Sequence, residues 1–215
     1  VGVSWMAPRA KWIAKVATVP VVTALILVTV GITLRCVIRG RPPVSTLYET
    51  ILFVAGTGVA ASLVAEWINR RTMALGVAAF LGALGMFLAG RYEAHEAVDT
   101  MPSLVAVLDT NFWLATHVTT VTIGYAAGLF ASAVAHVFII GKLFGLKKSD
   151  AGFYKGLTRM TYGLLAFGLV FAVVGTILGG VWANDSWGRF WGWDPKENGA
   201  LMIVLWQLAM IHLRL

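Results

Sequence analysis

The chain has 215 residues, of which 59% are hydrophobic and 13% are charged. A soluble domain carries about 25% charged residues, and one of this size cannot bury so much apolar surface in a single core. The composition therefore excludes a soluble globular enzyme and a disordered chain, and it predicts an all-α, polytopic membrane bundle. The net charge of +7 is explained better by membrane topology than by nucleic-acid binding, so a lipid bilayer is the expected surrounding. The single cysteine, Cys36, excludes an internal disulfide and a cysteine zinc site.

Six stretches of the chain are long and apolar enough, or nearly so, to span a membrane, since a spanning helix needs about 20 mostly apolar residues. The segments between them are short and contain Arg, Pro, Gly or acidic residues, as loops do. No linker divides the chain, so we expect a single integral-membrane domain over residues 1–215. The chain begins with Val1 and ends at Leu215 without a polar tail, which favours a piece of a longer polypeptide, truncated at both ends. The six predicted spans cover about residues 16–38, 44–68, 73–90, 112–141, 160–182 and 199–213.

Basic residues are distributed unequally between the two sides that these spans define. Eleven lie before the first span or after the second, fourth and sixth spans, whereas six lie on the opposite side. The positive-inside rule makes the richer side cytoplasmic. Segments 39–43, 91–111 and 183–198 then face outward, and the acidic residues of segment 91–111 agree with this orientation.

Tryptophan is concentrated in one of these outer segments. Membrane-interface belts account for the scattered tryptophans elsewhere in the chain. A cluster interrupted by Gly188 and Gly192 instead favours a rigid aromatic platform, with a flat, apolar macrocycle as its natural guest. An unusually heavy interface belt is the alternative. Four of the nine tryptophans form the cluster, namely Trp182, Trp187, Trp191 and Trp193.

The cluster is followed by a sequence typical of a helix start. Asp194 precedes Pro195, and Glu197 stands at the third helical position. An Asp cap, a Pro at the first helical position and a Glu two residues later together predict a capping box. We favour this structural role over a catalytic carboxylate, because it fixes the angle at which the outer segment enters the last span.

Two histidines are candidates for chemistry. His117 lies at the outer start of the fourth span, on the same face as the tryptophans, and neutral imidazole is the standard axial ligand of haem iron. His212 lies ~20 Å below Gly199 in a helix, and an ionisable residue at that depth is a functional candidate. A hydrogen bond to a neighbouring helix is the alternative for His212. His136, near the inner interface, and His95, in an outer loop, are expected to be structural or solvated.

Three segments resemble one known family. Residues 187–198 (WGRFWGWDPKEN) resemble the WWD motif of the haem-handling proteins of cytochrome c maturation. Within that superfamily the match is closest to CcsA, also called ResC, and to the C-terminal half of fused CcsBA synthases. Residues 41–50 (RPPVSTLYET) and 108–118 (LDTNFWLATHV) agree with the same family, in the expected order.

The resemblance implies a role in cytochrome c biogenesis. A protein of this kind receives haem b from the cytoplasmic side and holds it on an outward-facing WWD loop, here about residues 182–199. It presents the haem to the CxxCH motif of an apocytochrome c, where two thioether bonds form. With a CcsB/ResB-type membrane partner, separate or fused, it acts as a holocytochrome c synthase. The implied location is the bacterial inner membrane, with the WWD loop facing the periplasm.

The resemblance also implies a set of haem-binding residues. His117 matches the first of two outer histidine ligands, and the second should follow a further span beyond Leu215. His212 matches an intramembrane histidine whose partner ligand comes from the CcsB half. Basic side chains are candidates for the two propionates, namely Arg39, Arg41, Arg189 and Lys196. The expected haem-binding residues are His117, His212, Trp182, Trp187, Trp191, Trp193, Asp194 and Arg189.

Two other functions compete with the synthase. One is a haem exporter that passes haem to a separate chaperone, as CcmC-type proteins do. The other is a structural membrane subunit that binds no haem. The continuation of the WWD motif through residues 194–198 and the segment at 41–50 favour the synthase over the exporter.

Overall fold

A computed structural model describes residues 11–69, 72–96, 100–103, 111–147 and 150–213. Every regular element in these ranges is a helix, which confirms the all-α prediction. One π-helical turn, Leu114–Val118, joins the fourth helix to the fifth. The helices are α1 (Lys11–Arg39), α2 (Leu47–Asn69), α3 (Met73–Glu96), α4 (Asn111–Trp113), α5 (Thr119–Leu143), α6 (Ala151–Trp187) and α7 (Pro195–His212).

Five helical segments in the described part of the chain are long and apolar enough to cross a membrane. They are Val16–Arg39, Leu47–Ile68, Met73–His95, Leu114–Leu143 and Ala151–Trp187, which correspond in order to the first five predicted spans. The sixth predicted span is also a helix, α7, with 18 residues. Its first turn carries Lys196 and Glu197, which lower the mean hydropathy of so short a helix.

The closest packing in the bundle joins α5 to α6 along their lengths. A Cβ atom built on Gly124 would lie 2.7 Å from the Ala172 nitrogen, and one on Gly175 would lie 2.7 Å from Val121. Small residues of this kind let two membrane helices approach closely, because association in lipid depends on packing and not on the hydrophobic effect. The pairing sets the position of the N-terminal end of α5 against α6.

The outer segment about 182–199 is not one loop, which corrects the prediction. Helix α6 continues to Trp187, five residues beyond the predicted end of its span, and stops where Gly188 adopts a left-handed backbone with φ of 70°. The irregular part is therefore residues 188–194, and α7 begins at Pro195. Helix geometry favours the extension because the αL glycine terminates the helix, whereas the polar residues before it are compatible with an exposed last turn.

Two connections that were predicted to face outward meet at one end of the bundle. Arg35, near the end of α1, donates to Glu49 at 3.1 Å and also to the backbone carbonyl of Thr100. Arg39 and Arg41 both donate to the carbonyl of Pro102. The connections after α1 and after α3 are thus tied together, as the predicted topology requires.

Glu49 is the centre of this arrangement, and its removal tests it. Its side chain is only 3% exposed, and it accepts from Arg35 and from the Ser45 hydroxyl at 2.6 Å. Glu49→Leu leaves a largely buried guanidinium without its partner, so we expect the free energy of unfolding to fall by about 3 kcal/mol. Denaturant titration in detergent measures this. Glu93→Leu, at an exposed glutamate on α3, is the control, and an equal loss in both variants would contradict the role of the ion pair.

Part of the predicted charge distribution and one stretch of a motif lie outside the described residues. They are Arg9, Arg70, Arg71, Asp99, residues 108–110, Lys148 and Arg214, together with the side chains of Lys11 and Lys15.

Candidate functional site

His117 lies in the π-helical turn at the N-terminal end of α5. The turn is held by the Thr119 hydroxyl, which donates to the Leu114 carbonyl at 2.9 Å, five residues back. The Trp113 indole donates to the Asp185 carboxylate on α6 at 3.2 Å and anchors the start of the turn. A π-helical turn inserts one extra residue into a helix and so rotates the side chains on its C-terminal side, and such turns are frequent at functional sites. Here the turn directs the His117 imidazole toward α6.

The His117 imidazole is fixed by the backbone of α6. Its Nδ1 lies 2.8 Å from the Gly175 carbonyl oxygen. A carbonyl only accepts, so Nδ1 carries the proton and Nε2 keeps its lone pair. A Cβ atom on Gly179 would lie 2.6 Å from the imidazole Cε1. The absence of a side chain at Gly179 is therefore what allows the ring to lie against α6 in this orientation.

Two tryptophans of α6 extend an aromatic row from the imidazole. The ring centroids of His117 and Trp182 are 5.5 Å apart, and those of Trp182 and Trp187 are 6.3 Å apart. Trp182 is 8% exposed, and its indole N–H is a buried donor without a hydrogen-bond partner in the described structure. Buried donors are nearly always paired in proteins. This one lies beside the His117 imidazole, whose Nε2 is available.

The other two tryptophans lie in the irregular segment 188–194. Their ring centroids are 6.1 Å apart, and Trp193 is 69% exposed. Trp193 has a φ of 58°, in the left-handed region that a bulky residue adopts only when its surroundings enforce it. Phe190 turns back onto α6, where its ring lies 2.7 Å from a Cβ atom built on Gly180. The segment thus presents Trp193 to its surroundings while Phe190 holds it to the bundle.

Glu197 holds this segment in shape. Its carboxylate accepts from the Gly192 nitrogen at 2.6 Å, from the Asp194 nitrogen at 3.3 Å and from Arg189 at 3.1 Å. Asp194 accepts in turn from the Lys196 and Glu197 nitrogens at 2.8 and 2.9 Å. The capping box predicted from the sequence is confirmed. Sequence reasoning missed that the same glutamate also closes the loop.

The structure separates the predicted basic candidates by what they contact. Arg189 pairs with Glu197 and lies 3.9 Å from Asp194, so its guanidinium stabilises the loop. Arg39 and Arg41 contact the Pro102 carbonyl. Lys196 is exposed at the first turn of α7, and the hydrogen bond to Asp194 is made by its backbone nitrogen. Of the four, Lys196 is the one whose charged group is held neither by a carboxylate of the loop nor by the Pro102 carbonyl.

The remaining histidines do not join this site. His212 is exposed in the last turn of α7, ~26 Å along the helix from Pro195, and its Nδ1 donates to the Leu208 carbonyl at 2.8 Å. His136 is exposed on α5 and makes the same bond to Ser132, and His95 is exposed at the end of α3. His212 therefore has a free Nε2 as His117 does, but at the opposite end of the bundle.

Residues that sequence reasoning missed complete the site. Trp113, Asp185 and Gly179 each position His117 or its turn, yet none was singled out. A signal existed for one of them, because the Gly179–Gly180 pair inside an apolar helix indicates close approach of another group. No group of three or more His, Cys, Asp or Glu side chains in the described ranges is suited to hold a metal ion. The site is an aromatic surface with one available imidazole.

Comparison with known proteins gives this arrangement a context. The family model described as cytochrome C assembly protein matches residues 44–215. The chain is 33% identical over 190 residues to protein NrfI of Wolinella succinogenes, which covers 87% of this chain and 20% of that protein. It is 29% identical over 222 residues to cytochrome c biogenesis protein CcsA of Synechococcus sp., covering 91% of this chain and 72% of that protein.

A third relative is matched along this whole chain. Cytochrome c biogenesis protein CcsA of Chlamydomonas reinhardtii is 31% identical over 224 residues, which covers 100% of this chain and 61% of that protein. The chain therefore spans a fifth of the length of NrfI and less than two thirds of the length of this CcsA.

Proposed function

The chain belongs to the cytochrome c assembly protein family and is of the CcsA type, and from this premise we propose that it holds haem at the outer membrane face and presents it to an apocytochrome c. Cytochrome c biogenesis implies that haem is involved, as the substrate to be attached. The observation that carries the proposal is the juxtaposition of His117 and Trp182. An imidazole with an available Nε2 lies 5.5 Å, centroid to centroid, from an indole whose buried N–H has no partner in the described part of the chain.

These residues fit the chemistry of haem. A histidine ligand to iron is usually a neutral imidazole in which one nitrogen binds the iron and the N–H of the other donates a hydrogen bond to a carbonyl. The Trp182–Trp187 row supplies an aromatic wall for an apolar ring, and Trp187 is 56% exposed. Trp191 and Trp193 lie in the loop that Phe190 holds to α6, which supports a role in covering the ring. Asp194 contributes by fixing the angle of that loop and not by contact with haem.

The haem propionates need cationic or hydrogen-bonding partners. Lys196 is the first candidate, because its ammonium group is on the exposed first turn of α7 beside the loop. Arg39 and Arg41 remain candidates through the guanidinium nitrogens that do not contact Pro102. Arg189 is the weakest of the four, since a propionate would compete with Glu197 for it. The Trp182 N–H is a further donor that sequence reasoning did not consider.

Catalysis by such a site is mostly positioning. In thioether formation each cysteine thiol of the CxxCH motif adds across a haem vinyl group, so that the sulfur bonds to carbon and the thiol hydrogen is retained in the product. This addition needs no nucleophile or general base from the chain. Holding the vinyl groups beside the two thiols lowers the entropic part of the barrier. Aromatic contacts that fix the ring plane supply that orientation.

The site as described has one histidine, so further ligands are proposed to come from other parts of the complete protein or from a partner. We propose that a second outer histidine lies beyond Leu215. His212 is exposed on α7 with a free Nε2, which supports a ligand role shared with a CcsB-type membrane partner. The location consistent with this role is the bacterial inner membrane, with residues 188–194 facing the periplasm.

Co-expression distinguishes a synthase from an exporter. The full-length protein and its CcsB-type partner are produced with a CxxCH reporter apocytochrome in cells that lack every other maturation protein. We expect haem to be bound covalently to the reporter, detected by haem staining after denaturing electrophoresis. Haem on the purified protein with none on the reporter would identify an exporter. No haem on either, with both membrane proteins expressed, would leave a structural subunit.

A further inference from the structure

Gln207 is a buried polar residue in the middle of α7. Its side chain is 6% exposed, and its Oε1 has no hydrogen-bond partner among the described residues. Its Nε2 lies against α5, 3.0 Å from a Cβ atom built on Gly128. A buried amide oxygen without a donor is destabilising in an apolar surrounding, because the desolvation of the oxygen is not offset by a hydrogen bond. The unpaired oxygen therefore favours a ligand that supplies a hydrogen-bond donor, or another role for this side chain.

The amide faces a cavity between α5, α6 and α7. The cavity has a volume of about 450 Å³ and is lined by Tyr125, Leu129, Leu165, Met202, Trp206 and Gln207, among others. Tyr125 lies ~16 Å below Leu114 and Gln207 ~18 Å below Pro195 in their helices, so both polar groups are at a similar depth in the bundle. The remaining lining is almost entirely apolar.

A second cavity continues the first toward the inner end of α7. It has a volume of about 350 Å³, shares Leu165 and Met210 with the first, and extends to Leu213. Together the two cavities extend along one face of α7, from its last turn to its middle. Cavities of this size accommodate a small organic ligand, here one that is mostly apolar.

The hydrogen-bonding groups of the site limit the chemical class of the ligand further. An unpaired amide oxygen needs a donor, which an ionised carboxylate lacks and a carboxylic acid or hydroxyl supplies. A carboxylic acid also accepts, so it pairs with both the oxygen and the N–H groups of a primary amide. Within a bilayer the neutral acid is favoured as well, because burying the ionised form costs far more.

We propose that Gln207, with Tyr125 beside it, is an intramembrane site for a protonated propionic acid of haem on its way to the outer face. The inference rests on the proposed function, which requires haem to cross or enter the membrane part of the protein. The apolar face of the ring lies against the leucine, methionine and tryptophan side chains of the groove. The acid group pairs with the amide, and the pairing relieves the unpaired oxygen.

Two measurements on the same variants test this site in the full-length protein with its partner. The first is the haem that co-purifies from cells, measured as pyridine haemochrome per protein. The second is the affinity of the purified protein in detergent for added haemin, which reaches the outer site without crossing the membrane. For Gln207→Leu we expect co-purified haem to fall about tenfold, the effect of losing hydrogen bonds to a buried polar group, with unchanged affinity for added haemin. Tyr125→Phe should give a smaller fall.

Ile203 also lines the first cavity. Ile203→Leu keeps the cavity apolar, so it is the matched control and should change neither the co-purified haem nor the affinity for haemin. If Gln207→Leu leaves co-purified haem unchanged, the amide has only a structural partner such as an ordered water and the inference is wrong. If both values fall together, Gln207 supports the fold or the outer site, which also overturns it. Failure of the proposed function is separate, since wild-type protein would then carry no haem that depends on His117.

Discussion

Replacing Gly179 with alanine should lower the haem affinity of the outer site about 10–100-fold, the usual effect of disturbing a group that orients a metal ligand. The added Cβ atom would lie 2.6 Å from the His117 imidazole. The ring would have to move, and its hydrogen bond to the Gly175 carbonyl would break. Spectroscopic titration of the purified full-length protein with haemin measures the change in affinity. The Soret band should also shift, because the displaced imidazole binds the iron more weakly.

Gly163→Ala is the matched control on the same helix. Nothing lies within 4 Å of a Cβ atom at Gly163. Both substitutions replace a glycine inside a helix with alanine, which stabilises the helix by about 0.5–1 kcal/mol. The change in backbone entropy should therefore not lower the melting temperature of either variant. A drop in haem affinity that is equal in the two variants would show that α6 as a whole, and not the contact with His117, controls the site.

Removing the carboxylate of Glu197 should release the loop that carries the exposed tryptophans. Glu197→Ala loses the bonds to the Gly192 and Asp194 nitrogens and to Arg189. Loss of the capping interaction alone costs about 1 kcal/mol of local stability. The residues on either side of Trp193 are then no longer bonded to Glu197, and the bond from the Asn198 amide to the Trp193 carbonyl remains, so the loop should relax. We expect limited trypsin digestion after Arg189 to become about fivefold faster, which is the effect of about 1 kcal/mol on the population of the open loop.

The haem affinity of Glu197→Ala should also fall, because the loop is proposed to cover one side of the haem ring. Glu93→Ala, at an exposed glutamate on α3, is the control for removing a carboxylate. A Glu197→Ala protein that resists trypsin as the wild type does would mean that Phe190, packed over Gly180, holds the loop without help from the carboxylate.

Much of the fold could be predicted from composition and short patterns. The order of the long helices came from apolar runs separated by charged segments, because a bilayer leaves few alternatives to a spanning helix, and five of the six predicted spans are long and apolar enough to cross a membrane in the described part of the chain. The capping box at Asp194 and Glu197 was predictable since it depends on residues three apart in sequence. Local rules of this kind need no knowledge of neighbouring helices.

The features that shape the site depend on contacts between helices, and the sequence did not reveal them. The π-helical turn at residues 114–118 is held by Trp113 bonding to Asp185, 72 residues away. The extension of α6 to Trp187 depends on where Gly188 turns the chain. Arg189 was a natural candidate for a propionate, but in the structure it pairs with Glu197. Periodicity cannot predict such pairings, because the Trp113–Asp185 bond forms only when α4 lies against α6, and the Arg189–Glu197 pair forms only when the loop folds back onto the start of α7.

The two histidines singled out from the sequence have different surroundings. His117 is enclosed by α6, whereas His212 is exposed on α7. In the described part of the chain the His212 imidazole bonds to the Leu208 carbonyl of its own helix and leaves Nε2 exposed, which supports a neighbour from another segment or another protein. The described residues therefore enclose His117 more completely than His212.

The most direct measurement is the haem content and visible spectrum of the purified full-length protein with its partner, in wild type, His117→Ala and His136→Ala. We predict a Soret band in the wild type that is lost in His117→Ala, with haem reduced at least tenfold, the effect of removing an axial ligand in an apolar site. His136→Ala should keep both, because that imidazole is exposed on α5 away from the aromatic row. A His117→Ala protein with the haem content and spectrum of the wild type would contradict the assignment of the outer site.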